Sequence, residues 1–379
     1  MRIGITCYPT YGGSGVVATE LGKSLAMRGH EIHFISYAMP TRLDGYFRNV
    51  VYHEVEMANY PLFDFPLYTL ALASKMIDVT KFEKLDLLHV HYAIPHATSA
   101  YLAKEILGRD KVKVVTTLHG TDITLVGLEP AFLPLIKFST EHSDGVTAVS
   151  RFLKDKTILQ YGVENEIEVI PNFVDTKKYR RIDDEEFLAR CAPAREKVLI
   201  HVSNFRPVKR VPDVIRIFNI VHRKIPSKLF LVGDGPDRSN CEQLCRELNI
   251  YSEVKFLGKQ VDLVPLLSVS DLFLMPSQSE SFGLSALEAM ACEVPVISSS
   301  VGGLPELVLH GETGYIAEIG DIERMAKYAI ELLTNDSKHR LFARNARNRA
   351  VEMFEQDKIV NLYETFYEKV LKGQPVSSV

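Results

Sequence analysis

The stretch SQSESFGLSALEAMACEVPVISSSVGGL, residues Ser277–Leu304, decides the fold expected for this chain. A buried-strand pattern precedes it at Asp271–Pro276, and a second one lies inside it at Val294–Ser299. Between these strands a short loop leads into an apolar run of small residues, which is typical of a packed helix. Strand, loop, helix and strand in this order predict an α/β fold with a parallel sheet.

Two glutamates in this unit, Glu280 and Glu288, indicate a ligand that carries hydroxyl groups. We expect the helix to begin near Phe282–Leu284, so that its first turn offers free backbone N–H groups and the positive end of the helix dipole to a phosphate. Gly283 lets the backbone approach such a ligand closely. Because carboxylates beside a phosphate are unfavourable unless they face neutral groups, sugar hydroxyls fit, and the pattern favours a nucleotide-sugar. The alternative is that Glu280 caps the helix and Glu288 lies on a solvated face.

The length and composition of the chain limit the classes of protein that it can belong to. With 379 residues, of which 46% are apolar, the chain can build two domains, and we expect them over residues 1–170 and 171–355. The net charge of −4 argues against an extended nucleic-acid surface. The cysteines lack metal-ligand spacing, which predicts reduced thiols in a cytoplasmic protein. We find no membrane-spanning run and no signal peptide.

The first half begins as a Rossmann-like unit, in which strand Arg2–Cys7 leads through the glycine loop YPTYGGSG into a helix. The glycines do not follow the pattern G-x-G-x-x-G, and no acidic residue ends the second strand, Glu31–Ser36, so an NAD site is disfavoured. The loop could present N–H groups to an anion, with the Ser14 hydroxyl as a further donor. The alternative is a tight turn that needs positive φ. The aromatic-rich segment Val51–Tyr68 is expected mainly to pack in the core.

Polar residues follow two further strands of the first half, Leu85–Val90 and Lys113–Leu118. In a parallel sheet the loops at the carboxyl ends of the strands form the ligand crevice. The side chains expected there are those of His91, Tyr92, Thr117, His119 and Asp122. A glycine beside His119 clears space, and Asp122 could orient its own loop or orient or charge the imidazole. A structural role for these side chains is the alternative.

A second α/β series begins with strand Val198–Asn204. The loop after it carries the cations Arg206, Lys209 and Arg210 immediately before a helix. Arginine can bind a diphosphate through two hydrogen bonds and lysine adds a point charge, whereas the alternative is a solvated surface. Further along, the loop Gly258–Asp262 is expected to flank a base. The chain contains no Asp-x-Asp motif for a metal-bound diphosphate.

Several of these motifs together resemble those of the retaining GT-B glycosyltransferases of glycosyltransferase family 4. They are the Glu280–Glu288 pair with SFG between, VGDGP at Val232–Pro236, Arg206 with Lys209, and the GGSG loop. The resemblance covers essentially the whole chain. It implies two facing Rossmann-like domains with the active site in the cleft between them, a C-terminal helix over residues 356–379 that crosses back to the first domain, and no metal or other cofactor. The chain departs from the family in the shorter spacing between Arg206 and Lys209.

Within this family, four stretches are most similar to those of enzymes that transfer GlcNAc from UDP-GlcNAc to L-malate, the first step of bacillithiol biosynthesis. The stretches are ITCYPTYGGSG, HGTDIT, HVSNFRPVKRV and SESFG. The resemblance implies a hexosyltransferase that binds neither nucleic acid nor membranes and could form a homodimer. Three alternatives stay open, namely a transferase with an inositol phosphate, glycan or lipid acceptor, a UDP-GlcNAc epimerase, and a UDP-GlcNAc sensor without turnover.

The same resemblance implies roles for individual residues. The residues implied in catalysis are His119, Arg206, Lys209 and Glu280. Those implied in donor binding are Gly13, Arg206, Lys209, Gly233, Val261, Glu280, Phe282, Gly283, Leu284 and Glu288. Those implied in acceptor binding are Ser14, Tyr92, Thr117, Thr121 and Arg206. In this scheme Arg206, Lys209 and the N–H groups near Gly283 stabilise the charge that builds on the departing diphosphate.

Overall fold

The computed structural model describes residues 1–10, 12–57, 67–124 and 129–375. Its internal contacts form two compact units, of which unit 1 comprises Met1–Asn172 and Asp357–Val379 and unit 2 comprises Phe173–Gln356. Half of the aromatic-rich segment expected to pack in the core, residues 58–66, lies outside the described residues.

The elements of the two units alternate between strand and helix along the chain. The described strands are β1 (Arg2–Thr6), β2 (Glu31–Ser36), β3 (Val50–Glu54), β4 (Leu87–His91), β5 (Lys113–Leu118), β6 (Gly145–Ala148), β7 (Ile167–Val169), β8 (Lys197–Val202), β9 (Ser227–Val232), β10 (Val254–Gly258), β11 (Leu272–Met275), β12 (Val296–Ser299) and β13 (Gly314–Ala317). The described α-helices are α1 (Gly13–Met27), α2 (Tyr68–Glu83), α3 (Thr98–Leu107), α4 (Thr121–Thr124), α5 (Leu133–Glu141), α6 (Arg151–Tyr161), α7 (Glu185–Cys191), α8 (Val211–His222), α9 (Arg238–Glu247), α10 (Val264–Ser268), α11 (Leu284–Ala291), α12 (Leu304–Leu307), α13 (Ile322–Thr334), α14 (Asp336–Phe354) and α15 (Gln356–Leu371).

Both units have the strand order of a Rossmann fold. The described strands of unit 1 form a parallel sheet in the order β3-β2-β1-β4-β5-β6-β7, and those of unit 2 form one in the order β10-β9-β8-β11-β12-β13. In each sheet the chain winds outward from a central strand and then continues on the other side of it. The reversal creates a switch point, between β1 and β4 in unit 1 and between β8 and β11 in unit 2, where folds of this type bind ligands.

The helices cover the sheets because their apolar residues recur at helical spacing. On α8 the residues Val211, Val214, Ile215 and Phe218 follow the pattern i, i+3, i+4 and i+7, and all are fully buried in one core of unit 2. Strand β11, for example, is apolar and buried on both faces, as a parallel sheet covered on both sides requires.

The C-terminal helix α15 packs within unit 1. It buries Tyr363, Phe366 and Tyr367, and the carboxylate of Glu364 binds Arg28 at 2.5 Å. Because the ring of Phe366 lies close to β6, a Cβ on Gly145 would come within 2.9 Å of it. No helix in the described part of the chain has the length and apolar character needed to cross a membrane.

Candidate active site

The switch point of unit 2 is formed by two loops that bind each other. After β8 the chain makes a 3-10 turn that includes Val208 and Lys209, and after β11 it passes through Gln278 and Glu280 into α11. The N–H of Gln278 donates to the carbonyl of Val208 at 2.8 Å. The ammonium of Lys209 pairs with the carboxylate of Glu280 at 2.5 Å. The structure therefore brings together two predicted catalytic residues that lie 71 positions apart in the sequence.

The Lys209–Glu280 pair is largely withdrawn from water, with 21% and 15% of the two side chains exposed. Removing either partner of such a pair leaves the other charge uncompensated. Lysine was predicted to bind a diphosphate and glutamate to bind sugar hydroxyls, whereas here each neutralises the other. The pair still leaves binding capacity, because an ammonium has three donor hydrogens and a carboxylate has a second oxygen.

The two arginines of this loop have different surroundings. Arg210 is held by Asp213, with 2.6 Å between its Nε and the carboxylate, and Arg216 binds the same carboxylate at 3.0 Å. Arg206 is exposed, and no ion pair joins it to another described residue. Arg206 is thus available to an anionic ligand, whereas Arg210 is committed to the fold.

Glycines allow the loops of this switch point to touch. Gly233 has φ of +120°, and a Cβ there would lie 1.7 Å from the carbonyl oxygen of Ser203. Gly302 has φ of +58°, and a Cβ there would lie 1.7 Å from the carbonyl oxygen of Glu280, which also accepts from Gly303 N–H at 3.0 Å. Gly233 was predicted to bind the donor, and in the structure it fits the β9 loop against the β8 loop. Gly302 holds the Glu280 loop in place.

Helix α11 begins at Leu284, as predicted, and follows Gly283, whose φ is +99°. Because the residue before the helix is a glycine, no capping side chain occupies the first-turn N–H groups. The alternative in which Glu280 caps this helix is wrong, since its carboxylate pairs with Lys209. The alternative of a solvated face for Glu288 is also wrong, because only 4% of this residue is exposed.

Two other predicted donor-binding residues lie in opposite environments. Phe282 is buried and packs against the ring of Phe354, with 5.5 Å between the ring centroids. Its side chain therefore belongs to the core, and a donor could meet only its backbone. Val261, in the loop after β10, is 60% exposed, so its expected place beside a base stays a prediction.

Sequence reasoning missed His201, which lies at the end of β8. Its Nδ1 lies 2.8 Å from the carbonyl of Leu274, and its Nε2 lies 2.7 Å from the hydroxyl of Ser203. Burial lowers the pKa of His201 to about 4, so the ring is neutral. A neutral ring donates through Nδ1 and accepts the Ser203 hydroxyl through Nε2, which supports the loop against which Gly233 packs. A histidine inside the apolar run VLIHVSN is the signal that could have revealed it.

The switch point of unit 1 is lined by hydroxyl groups and rings. The phenol of Tyr92, after β4, donates to the hydroxyl of Ser14, at the start of α1, over 2.7 Å. Tyr92 has φ of +93°, a strained conformation for a residue other than glycine, which its surroundings must hold. Burial raises the pKa of Tyr92 to about 12, so that the phenol keeps its proton. The structure thus brings together two of the predicted acceptor-binding residues.

In the glycine loop after β1, Gly15 allows two segments of the backbone to approach each other closely. A Cβ on Gly15 would lie 2.5 Å from the carbonyl oxygen of Tyr8. Neither Gly12, Gly13 nor Gly15 has positive φ, so the alternative of a turn that requires it is wrong. Gly13 is exposed and opens α1, and its contact with the donor stays a prediction.

His119 lies beside a second histidine at this switch point. Its Nε2 is 2.7 Å from Nδ1 of His91, and its ring centroid is 5.5 Å from that of Tyr92. Burial lowers the pKa of His119 to about 3. The imidazole is therefore neutral, and it can offer a hydrogen bond but no positive charge.

Asp122 binds backbone N–H groups of its own loop and of the loop after β4, rather than the imidazole. Its carboxylate accepts from the N–H of Ala93 at 2.9 Å and from the N–H of Gly120 at 3.0 Å. Burial raises the pKa of Asp122 to about 6. The ring beside His119 is that of His91, so of the two roles expected for Asp122 the structure supports the orientation of its loop and not that of the imidazole.

The two predicted threonines differ. Thr117 is fully buried, and its hydroxyl lies 2.7 Å from both the Thr147 hydroxyl and Nε2 of His89. This burial argues against the direct acceptor contact expected of Thr117. Thr121 is half-buried, opens α4 and hydrogen-bonds the side chain of Tyr92, so it stays a candidate.

Comparison with known proteins identifies the family. Residues 11–178 match the model described as Glycosyltransferase Family 4, and residues 183–349 match that of Glycosyl transferases group 1. The chain is 50% identical over 373 residues to N-acetyl-alpha-D-glucosaminyl L-malate synthase of Bacillus anthracis, with 98% of each chain covered. The chain belongs to glycosyltransferase family 4. The predicted family and enzyme class are therefore confirmed.

Solved structures share the fold of this family 4 glycosyltransferase. A sucrose-phosphate synthase from Thermosynechococcus elongatus superposes with a TM-score of 0.81 at 21% identity, covering 98% of this chain and all of that one. The Anabaena protein HepE in complex with UDP and glucose superposes with a TM-score of 0.79 at 20% identity, covering 97% and 99%. The predicted GT-B fold of two Rossmann-like units is confirmed.

Proposed function

We propose that this glycosyltransferase moves GlcNAc from UDP-GlcNAc to the hydroxyl of L-malate, with retention at the anomeric carbon and without a metal ion, as in the first step of bacillithiol biosynthesis. The observation that carries the proposal is the 50% identity with the Bacillus anthracis synthase over 98% of both chains. The charged switch point of unit 2 supports a diphosphate donor, and the neutral, hydroxyl-lined switch point of unit 1 supports a small polar acceptor.

In this proposal unit 2 binds the donor. Arg206, Lys209 and the first N–H groups of α11 stabilise the diphosphate, whose negative charge grows as the bond to the sugar breaks. These groups supply the positive charge that a metal ion supplies in enzymes with an Asp-x-Asp motif. Glu288 accepts hydrogen bonds from the ribose, and Glu280 accepts them from the sugar through the oxygen that Lys209 leaves available.

Unit 1 provides the acceptor contacts. Ser14, Tyr92 and Thr121 present hydroxyl groups that can donate to the carboxylates of malate. We assign His119 a hydrogen bond to the transferred sugar, because its imidazole is neutral and held by His91. Arg206, which is exposed and forms no ion pair with a described residue, is assigned to the anionic groups of the substrates.

The proposed chemistry is substitution on one face of the sugar. The bond between the anomeric carbon and the diphosphate oxygen breaks, and a bond to the malate hydroxyl oxygen forms on the same face. The hydroxyl proton passes to the departing diphosphate, so that UDP leaves with both the electron pair and the proton. This route needs no enzyme carboxylate as nucleophile, which agrees with the engagement of Asp122 by two backbone N–H groups.

The direct test is UDP release from UDP-GlcNAc by the purified protein with EDTA present, in separate reactions with L-malate, inositol phosphate or no acceptor. We expect release that depends on malate, and the coupling constant of the anomeric proton in the product reports retention. Release with inositol phosphate but not with malate would show that inositol phosphate is the acceptor. Isomerisation of the sugar without an acceptor would indicate an epimerase, and loss of release on adding EDTA would overturn metal independence.

We also infer a cytoplasmic location. Four of the cysteines, Cys7, Cys241, Cys245 and Cys292, are buried as free thiols, and Cys191 is half-buried and free as well. Free thiols are typical of proteins in a reducing compartment. Formation of a homodimer stays a prediction.

A further inference from the structure

We propose that unit 1 contains a site for a divalent transition metal, formed by His33, His53 and Glu83, and that Zn²⁺ is the ion that fits it. The histidines lie on the outer strands β2 and β3, whereas the residues assigned to transfer surround the switch point between β1 and β4. The proposal does not depend on the identity of the acceptor or the donor.

The three side chains are close enough together for one metal ion to bind all of them. One ligand atom from each lies within 4.8 Å of the others. Nδ1 of His33 is 2.9 Å from Nε2 of His53, and the two rings stack with 5.2 Å between their centroids. Neighbouring ligand atoms in a tetrahedral zinc site lie about 3.4 Å apart, so changes of at most about 1.4 Å in the distances between ligand atoms suffice.

The sheet register places the two histidines side by side. His33 on β2 is opposite Val51 on β3, and His53 is opposite Ile35. Opposed residues of parallel strands point to the same face, and so do residues two apart along a strand. His33 and His53 therefore share the face on which Ile35 is buried.

Helix α2 brings the carboxylate to this face. Its residues Leu72, Met76 and Val79 are buried in the core cluster that also contains Ile35. Glu83 follows Val79 by four positions and so continues the same helical stripe. Glu83 thus ends the buried apolar stripe of the helix. It lies close to His33 and His53, which interrupt the apolar face of the strands.

The surroundings of His33 point to a ligand. Its ring is fully buried, and its Nε2 is withdrawn from water. This nitrogen faces a carboxylate oxygen of Glu31 at 3.5 Å. When Nδ1 binds a metal, the ring proton lies on Nε2 and points to Glu31, which is the arrangement that orients metal-binding histidines.

The ligand set indicates the class of metal. Two imidazoles and one carboxylate suit Zn²⁺, with water as the fourth ligand. The ion would tie the strands β2 and β3 to the end of α2. We therefore expect it to stabilise unit 1 rather than to take part in the transfer.

The test is a titration of EDTA-stripped protein with Zn²⁺ in competition with a chromophoric chelator, after the accessible thiol of Cys191 has been blocked with N-ethylmaleimide. We expect one ion per chain in the wild type and an affinity at least about 100-fold lower in Glu83→Gln and in His53→Asn. Both ligands are partly exposed, and circular dichroism together with UDP release verifies that the variants fold. Matched controls are Glu105→Gln near the end of α3 and His142→Asn, both on exposed residues, and they should bind as the wild type does.

Two further measurements sharpen this test. Co²⁺ in the site should give the intense visible bands of tetrahedral coordination, and Zn²⁺ should raise the melting temperature of the wild type but not that of His53→Asn. Stoichiometric binding that survives both ligand variants, or that is lost equally in the controls, would overturn the proposal. So would the absence of tight binding by the wild type.

Discussion

The two switch points occupy the same place in two sheets of the same strand order, yet they differ in chemistry. In unit 2 the loops are joined by the ion pair of Lys209 and Glu280, with Arg206 exposed beside it. In unit 1 they are joined by the bond from Tyr92 to Ser14, beside the neutral pair of His91 and His119. The fold therefore determines where a ligand can bind, and in the proposed function the side chains at the strand ends select a diphosphate in unit 2 and a small polar acceptor in unit 1.

The two sites also differ in how the cost of burying their polar side chains is offset. In unit 2 the free-energy cost of burying charges is offset by pairing them, so the site depends on the presence of both Lys209 and Glu280. Unit 1 encloses imidazoles in the neutral form, which avoids the cost of a buried charge at neutral pH but makes the unit sensitive to acid. The following experiments separate these two modes.

The largest effect that we expect is acid unfolding that begins in unit 1. Burial lowers the pKa of His89 to about 3, that of His96 to about 4 and that of His119 to about 3, and it holds the pKa of His91 well below its ordinary value. Unfolded histidines titrate near 6.5, so the stability from these neutral rings is complete above about pH 6.5 and is lost as the pH falls toward 4. Each ring contributes about 1.4 kcal/mol per pH unit in that window.

Asp122 acts in the opposite direction, because its raised pKa of about 6 means that stability is regained as the pH falls through 6. One carboxyl group cannot offset four imidazoles. In unit 2, burial also lowers the pKa of His201, to about 4. Hydrogen exchange of both units at pH 7.5 and pH 5 measures the effect, with the exposed-residue variant His142→Asn as a control. Earlier loss of protection in unit 2 would contradict the prediction.

The next effect is on catalysis at the ion pair. Lys209→Ala should lose about 2–4 kcal/mol of transition-state stabilisation, which is roughly a 30- to 1,000-fold decrease in kcat/KM. Lys228→Ala is a matched control, since Lys228 pairs with Glu253 at 2.6 Å and is similarly withdrawn from water, but lies on β9 outside the switch point.

Steady-state kinetics of both variants and of Lys209→Ala/Glu280→Gln measure this effect. We expect the two substitutions at the switch point to be non-additive, because the residues are in contact. Near-wild-type turnover by Lys209→Ala, or an equal loss in the control, would refute the assignment.

The smallest effect concerns the neutral site. Tyr92→Phe removes the hydroxyl that donates to Ser14 and should cost about 1 kcal/mol, seen as a rise of roughly fivefold in KM for malate. The KM for UDP-GlcNAc should stay unchanged, which a merely structural role for this hydroxyl would not predict. Tyr52→Phe is the control, because its hydroxyl donates to the carbonyl of Ser36 on an outer strand. An equal change in the KM for malate and in the KM for UDP-GlcNAc would contradict the assignment of Tyr92 to the acceptor site.

Much of the fold and part of the site were accessible from local patterns. The start of α11 at Leu284 and the alternation of strand and helix follow from periodicity and glycine positions, which act over a few residues. The pairing of Lys209 with Glu280 and the support of Glu280 by Gly302 were not accessible, because they join loops that are distant in the chain. Likewise, the motif HGTDIT suggested Asp122 as the partner of His119, and only the packing of β4 beside β5 revealed His91.

By itself the sequence determined the two Rossmann-like series, the cations after β8 and the glutamates around α11, because each of these depends on short-range pattern and residue chemistry. The tertiary structure decided which polar side chains remain at a ligand crevice. Thr117 stands at a strand end as a ligand residue would, but α15 covers that part of the sheet, and Tyr367 reaches the His89 ring that holds its hydroxyl. Burial is a property of everything that packs against a residue, and here the covering helix comes from more than 200 positions further along the chain.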